Sequence, residues 1–335
     1  MSDVAIPMQW LLDTDPALRW QVERDLAGPS PQVWQATRSR VATEGFGARL
    51  LALQDPDGQW AGGAFFPGRV DDRPFDPHGD PDADPGQPWT ATTWSLNALR
   101  EWGIDAQVLG DTAERLAASC RWEYDDLPYW GGEVDCCINA FTLANGTWLG
   151  ADVSGLEQWF VEHQMDDGGW NCEWEAGSTR SSFVSTLNTL EGLLYREQHT
   201  GTQQLRAARR SGEEYLLARR LMLRRSSGEV VGPWVTHFAY PFRAMYSALR
   251  ATDYFRRASL HDASPPDPRL ADAIEAVRSH RESDGTWRQQ RRHAGVAWFE
   301  VDVAAGEPSP WLTLYGTRVL AWWDDATRAE APLST

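Results

Sequence analysis

The chain has only four cysteines, Cys120, Cys136, Cys137 and Cys172, and three of them stand where chemistry is possible. Cys136 and Cys137 follow Asp135 just past a Gly-Gly pair, and Cys172 follows the turn Asp-Gly-Gly-Trp in QMDDGGWNCEW, 164–174. Where such residues open a helix, the positive end of its dipole favours carboxylate and thiolate over their neutral forms. No framework-like spacing marks the cysteines as a disulfide set, so they read as reduced thiols, with metal ligation and simple burial both open.

Whole classes of chemistry are closed to this chain. All 31 basic residues are arginines. Schiff-base catalysis, a pyridoxal phosphate linkage and the Walker lysine each need a lysine amine, so neither that cofactor nor a P-loop nucleotide is expected. The formal charge of -17 repels phosphate backbones, which argues against nucleic acid as a partner. No apolar run approaches the roughly 18 residues of a transmembrane span, and MSDVAIPMQWLLDTDP lacks the basic start of a signal segment. The expectation is a soluble, cytoplasmic protein. Its 19 tryptophans far exceed ordinary usage and call for many large aromatic faces.

The elements that position these residues repeat. QDPDGQW at 54–60 and QMDDGGW at 164–170 both read Q-x-x-D-G-x-W, and RESDGTW at 281–287 differs only in its first residue. DLPYWGGE around Trp130 and SSGEVVGPW ending at Trp234 are weaker echoes, making five units. An amphipathic outer-helix pattern precedes each turn, near 33–53, 106–121, 154–164, 211–225 and 268–281. A less polar inner-helix pattern follows each, opening at Thr90, Asp135, Ser181, Thr236 and Pro308. Two short N-terminal helices, broken at Asp15-Pro16, supply a sixth pair. The reading is all-α: an α/α toroid, or α6/α6 barrel, in one domain over 1–335. One irregular acidic loop, 65–88, interrupts it; its carboxylates around His78 read as a solvated flap.

In Q-x-x-D-G-x-W the glycine suits a left-handed helix end, the glutamine and aspartate bond freed backbone groups, and the indole seals the joint. These turns resemble the QW repeats of squalene and oxidosqualene cyclases. The inner and outer alternation is also similar to the β subunits of protein prenyltransferases. The resemblance covers about 33–325 and implies a toroid around a central cavity lined by the inner helices. It implies an enzyme acting on a lipophilic, isoprenoid-like small molecule, with Trp89, Phe183, Tyr240 and Trp311 at the cavity mouth, where their faces would hold an apolar ligand or a developing cation.

The chain departs from the family in two respects. Neither the D-x-D-D acid of the cyclases nor a D-D-x-x-D motif is present. Prenyltransferases resembling it hold zinc with Asp-x-Cys at one inner-helix start and histidine at the next; Asp135-Cys136-Cys137 matches the first, but Val184 and Ser185 stand where histidine is expected. The implied zinc set is therefore Asp135, Cys137, Cys172 and His237, with Asp135 alternatively a catalytic acid or base and Cys136 and Cys120 as core. A second reading is a non-catalytic ligand-binding or assembly subunit of the same fold, working with a protein partner.

Overall fold

The computed structural model describes residues 6–28, 30–70, 73–74 and 87–330. Most of the 65–88 stretch, His78 included, lies outside the described residues. Its described part contains a short antiparallel pair, β1 (Arg69–Val70) with β2 (Arg73–Pro74).

The described chain is mostly helical. The N-terminal pair is α1 (Met8–Leu12) and α2 (Pro16–Val22), broken as expected at Asp15, which caps α2 through the Ala17 amide. The expected outer helix at 33–53 is two helices, α3 (Pro31–Arg40) and α4 (Gly45–Leu51). Then come α5 (Thr92–Glu101), α6 (Thr112–Ser119), α7 (Cys136–Leu149), α8 (Ser154–Glu162), α9 (Phe183–Thr200) and α10 (Arg206–Leu217). The chain continues through α11 (Ala248–Asp262), α12 (Ala271–Ser279) and α13 (Pro310–Glu330). The pair β3 (Trp287–Arg288) and β4 (Pro308–Ser309) staples the entry to α13.

Two expected elements are corrected. The outer helix expected near 211–225 is α10, which ends at Leu217 because Arg220 and Leu221 take left-handed backbone. The inner helix expected from Thr236 begins only at Ala248, capped by Ser247. Pro241 removes a backbone donor and Arg243 is left-handed, so 237–247 cannot propagate a helix.

The tryptophan turns work alike at all three full repeats. Gly58, Gly168 and Gly285 have φ of 90°, 97° and 86°, the conformation the turn needs. The indole N–H of Trp60, Trp170 and Trp287 donates to the carbonyl ten residues earlier, Leu50, Phe160 and Val277, each at 2.9 Å. The backbone N–H of the same tryptophans donates to a threonine hydroxyl of the next helix, Thr92, Thr186 and Thr313, at 3.0–3.1 Å. Each buried indole thus ties the end of one helix to the start of the following one. The Gln54 and Gln164 amides donate to the Gly58 and Gly168 carbonyls within the turn. Of the weaker echoes, Trp130 bonds Ala113 in α6, and Trp234 packs against Phe183 and Tyr246.

Contacts between helices run in a closed order. α5 packs on α7, α7 on α9, α9 on α11, α11 on α13, and α13 on α2. From α2, Trp20 donates to the Trp102 carbonyl at the end of α5 at 2.8 Å, and Gln21 donates to the Glu101 carbonyl. The α7–α9 pair is the tightest: a Cβ on Gly192 would fall 2.7 Å from the Ala140 carbonyl oxygen. No helix among the described residues is long and apolar enough to cross a membrane.

Candidate functional site

The close approach of α7 and α9 brings three thiols together. Cys136 and Cys137 open α7, and Cys172 lies in the turn after Trp170, held by its backbone N–H on the Ser185 hydroxyl of α9 at 3.2 Å. The Cys172 sulfur is 3.2 Å from that of Cys137 and 3.5 Å from that of Cys136. Cys137 also accepts from the Asn188 amide at 3.3 Å. Hydrogen bonds from Cys136, Cys172 and Asn188 hold the Cys137 thiol well below its ordinary range. At Cys172 the bond from Cys136 pulls downward, but its bond to Cys137 and burial outweigh that and push it up to about 11.

Asp135 precedes α7 without its side chain capping the helix. Its carboxyl faces the Cys172 thiol, and burial, reinforced by Cys172, pushes it up to about 7. Glu133 is pushed up to about 7 as well, by burial and then by the Asp135 charge; its backbone N–H and C=O are both tied to the Asn139 amide. Its Oε1 is buried with no hydrogen-bond partner. The group thus combines thiols with two carboxyls that resist ionisation. The three sulfurs lie within 4.8 Å of one another. A tetrahedral metal about 2.3 Å from each sulfur would set them about 3.8 Å apart, so a spread of a few tenths of an ångström accommodates zinc. Three soft sulfur donors suit that ion or another soft cation.

A second ligand-spaced group, Glu197, His261 and Asp262, is already filled from within the chain. The fully buried Arg209 guanidinium binds Glu197 at 2.9 Å, Glu213 at 2.6 Å and Asp262 at 2.9 Å. Arg209 is thus an internal counter-ion, not part of the solvated face that its position on an outer helix suggests.

A cavity of about 1030 Å³ lies among α2, α5, α7, α9, α11 and α13, with Trp20, Trp94, Phe141, Glu191, Asp253 and Tyr315 as one wall residue from each. One part is aromatic: Trp94 lies edge-on to Trp89 at 4.7 Å and 5.6 Å from Phe141. Another is ionic: Asp253 receives Arg318 at 2.8 Å and Arg256 at 2.9 Å, and Glu191 receives Arg250 at 2.6 Å. Burial alone would raise Asp253, but Arg318, Arg256 and Arg257 together hold it well below the usual carboxylate range. Asn188 joins cavity and thiols, donating to Cys137 while accepting from Arg250 at 2.7 Å.

Two wall residues make no ion pair among the described residues. The Glu101 carboxyl forms no ion pair among the described residues and accepts the Tyr315 hydroxyl at 2.8 Å; burial raises its pKa, a tendency that the Tyr315 and Tyr240 hydroxyls temper. Arg243 lies over the Trp89 ring at 5.0 Å, and burial lowers its pKa to about 10.

The structure brings Cys137 and Cys172 together, with Asp135 beside them. Cys136, expected in the core, is buried yet turns its sulfur into the cluster. His237 is exposed and in no ligand-spaced group among the described residues, because the helix it was expected to open begins only at Ala248. Trp89 and Tyr240 line the cavity. Phe183 and Trp311 do not: Phe183 packs on Tyr215 and Tyr246, while Trp311 stacks on Tyr240 from behind at 4.3 Å and donates to the Val301 carbonyl. Sequence reasoning missed Glu101 and Arg243. Glu101 had a signal, since Trp94, Asn97, Ala98 and Glu101 recur at helical spacing and all line the cavity. Arg243 had none.

Compared with protein-family models, curated proteins and solved structures, the chain matches none.

Proposed function

We propose that the protein is a terpene-cyclase- or prenyltransferase-like enzyme that holds a lipophilic, isoprenoid-like molecule in this cavity and protonates it from Glu101. The fold in this reading is an α/α toroid whose inner ring is the six cavity-lining helices. The closed order of helix contacts and the three tryptophan turns support it.

One observation carries the functional reading: a carboxyl with no ion pair among the described residues, its pKa raised by burial, facing a large cavity with tryptophan and tyrosine in its wall. A neutral carboxyl can deliver a proton to an electron-rich double bond, and aromatic faces stabilise the cation that results. Tyr315 orients the carboxyl, and the arginine–carboxylate network fixes the helices around it. In the zinc-assisted form of the reading, Cys136, Cys137 and Cys172 would hold the ion, which when bound supplies Lewis acidity beside the cavity. Asn188 orients the Cys137 sulfur, and Asp135 holds a proton next to Cys172.

Product analysis after incubation with squalene, farnesyl diphosphate and geranylgeranyl diphosphate tests this. Turnover that falls about 100-fold or more in Glu101→Gln supports it. No turnover of any isoprenoid leaves the non-catalytic binding subunit, a reading favoured by the lack of an imidazole at the thiol cluster among the described residues.

A further inference from the structure

The cavity wall contains more arginine than the catalytic reading uses, and most of it is accounted for. Arg250 and Arg257 bind Glu191, Arg256 and Arg318 bind Asp253, and Arg24 binds Asp25. Arg100 is bonded to Asn145 and Asn97, and Arg38 to the Gly103 carbonyl. Arg243 differs from all of these. Among the described residues it makes no hydrogen bond or ion pair, although its side chain lies half-buried in the wall; the contact its charge does make there is with the face of Trp89. A ring face attracts the charge but leaves the five N–H donors unmet.

Its backbone is also special. Arg243 has φ +54°, a left-handed conformation that a residue with a side chain seldom takes and that persists only where the surroundings impose it. Cations and anions both reach this part of the wall: burial, then Arg291, Arg243 and Arg250, push His293 down to about 4, while Glu101 and Glu300 act on the Arg243 guanidinium without pairing with it. The Arg291 Nε is itself buried without a partner. A half-buried guanidinium in a cavity wall with no ion pair among the described residues stands apart from the paired arginines around it. Beside it, Trp89, Trp94 and Phe141 form an apolar cluster of their own, with Phe65 and Ala244 packed against it.

From this juxtaposition we infer that Arg243 anchors the anionic head, carboxylate or phosphate, of an amphipathic ligand whose apolar body lies along Trp89, Trp94 and Phe141. The inference rests on the cavity being the ligand site and deepens that reading by naming the ligand's charge. A planar fork of donors offers a carboxylate or phosphate oxygen two parallel bonds, which neither an alcohol nor a hydrocarbon can match.

The test uses three chain-matched probes, dodecanoate, dodecyl phosphate and dodecanol, titrated calorimetrically into the full-length protein. The expected result is that wild type binds at least one of the two anions about tenfold or more tighter than the alcohol, and that Arg243→Gln removes this preference while dodecanol binding changes less than twofold. Which anion is preferred distinguishes a carboxylate ligand from a phosphate ligand. Arg243→Lys, which keeps the charge but loses the fork, should restore part of the preference, and a thermal melt confirms that each variant is folded. Equal binding of all three probes by wild type, no binding of any, or an anion preference unchanged in a folded Arg243→Gln overturns the anchor. The isoprenoid assay is separate: turnover without anion preference removes this inference alone, and anion preference without turnover removes only the enzyme reading.

Discussion

Glu101 and Arg243 line the same cavity, yet neither makes an ion pair among the described residues. Burial raises the pKa of the carboxyl and lowers that of the guanidinium to about 10. If Glu101 is the proton donor, its acid form is the active one. Turnover should therefore hold at low pH and fall as pH rises through the raised Glu101 pKa, and a pH–rate profile of wild type against Glu101→Asp reads that limb directly. The thiols give a second prediction. Wild type purified with zinc in the buffer should hold about one ion per chain by elemental analysis, and Cys137→Ala or Cys172→Ala should hold almost none. A wild type free of metal after that treatment would reduce the cluster to hydrogen-bonded thiols. The sequence made Cys137 and Cys172 readable because each sits beside a turn signal. It hid Cys136, whose neighbours Ile138 and Phe141 read as core, and it hid Arg243, whose setting depends on a left-handed residue in a segment that looked helical.

At the level of elements, the tryptophan turn is the working unit, and its parts were visible in advance because they are local: a glycine with positive φ, a glutamine reaching that turn, an indole sealing it. What no local rule supplies is the partner on the next helix. The threonines that receive the Trp60, Trp170 and Trp287 amides lie 32, 16 and 26 residues away. Trp170→Ala should destabilise the fold by about 3–5 kcal/mol in urea unfolding, since it opens a cavity and strands the Phe160 carbonyl. Gly192→Ala acts differently. Its Cβ would collide with the Ala140 backbone and push α7 from α9, so the protein should remain folded, less stable by about 1–3 kcal/mol, with weaker zinc uptake as the sulfurs spread.

Across the whole molecule, the first and last helices meet through charge. Arg318 on α13 joins Asp253 on α11 at 2.8 Å and Asp25, just beyond α2, at 3.3 Å. Removing one partner of a buried network leaves the others uncompensated, so Asp253→Asn should cost about 3–5 kcal/mol. Asp253 is depressed in the folded state, so its contribution is fully present above the unfolded carboxyl pKa of 3.8 and is lost as pH falls through that value toward the folded one. Wild type should therefore lose stability below about pH 4 more steeply than Asp253→Asn does. The helical character of the chain was legible from its turns and periodicity; the charged interior was not, because arginines at helical spacing read equally as a solvated face. The account stands on the cavity being a ligand site. Native mass spectrometry with farnesyl diphosphate, geranylgeranyl diphosphate and squalene, comparing wild type with Ala144→Trp, tests that most directly, since Ala144 lines the cavity and an indole there would obstruct part of it. A one-to-one adduct on wild type that disappears in the folded variant is the predicted result; adducts on neither protein, or equally on both, would contradict it.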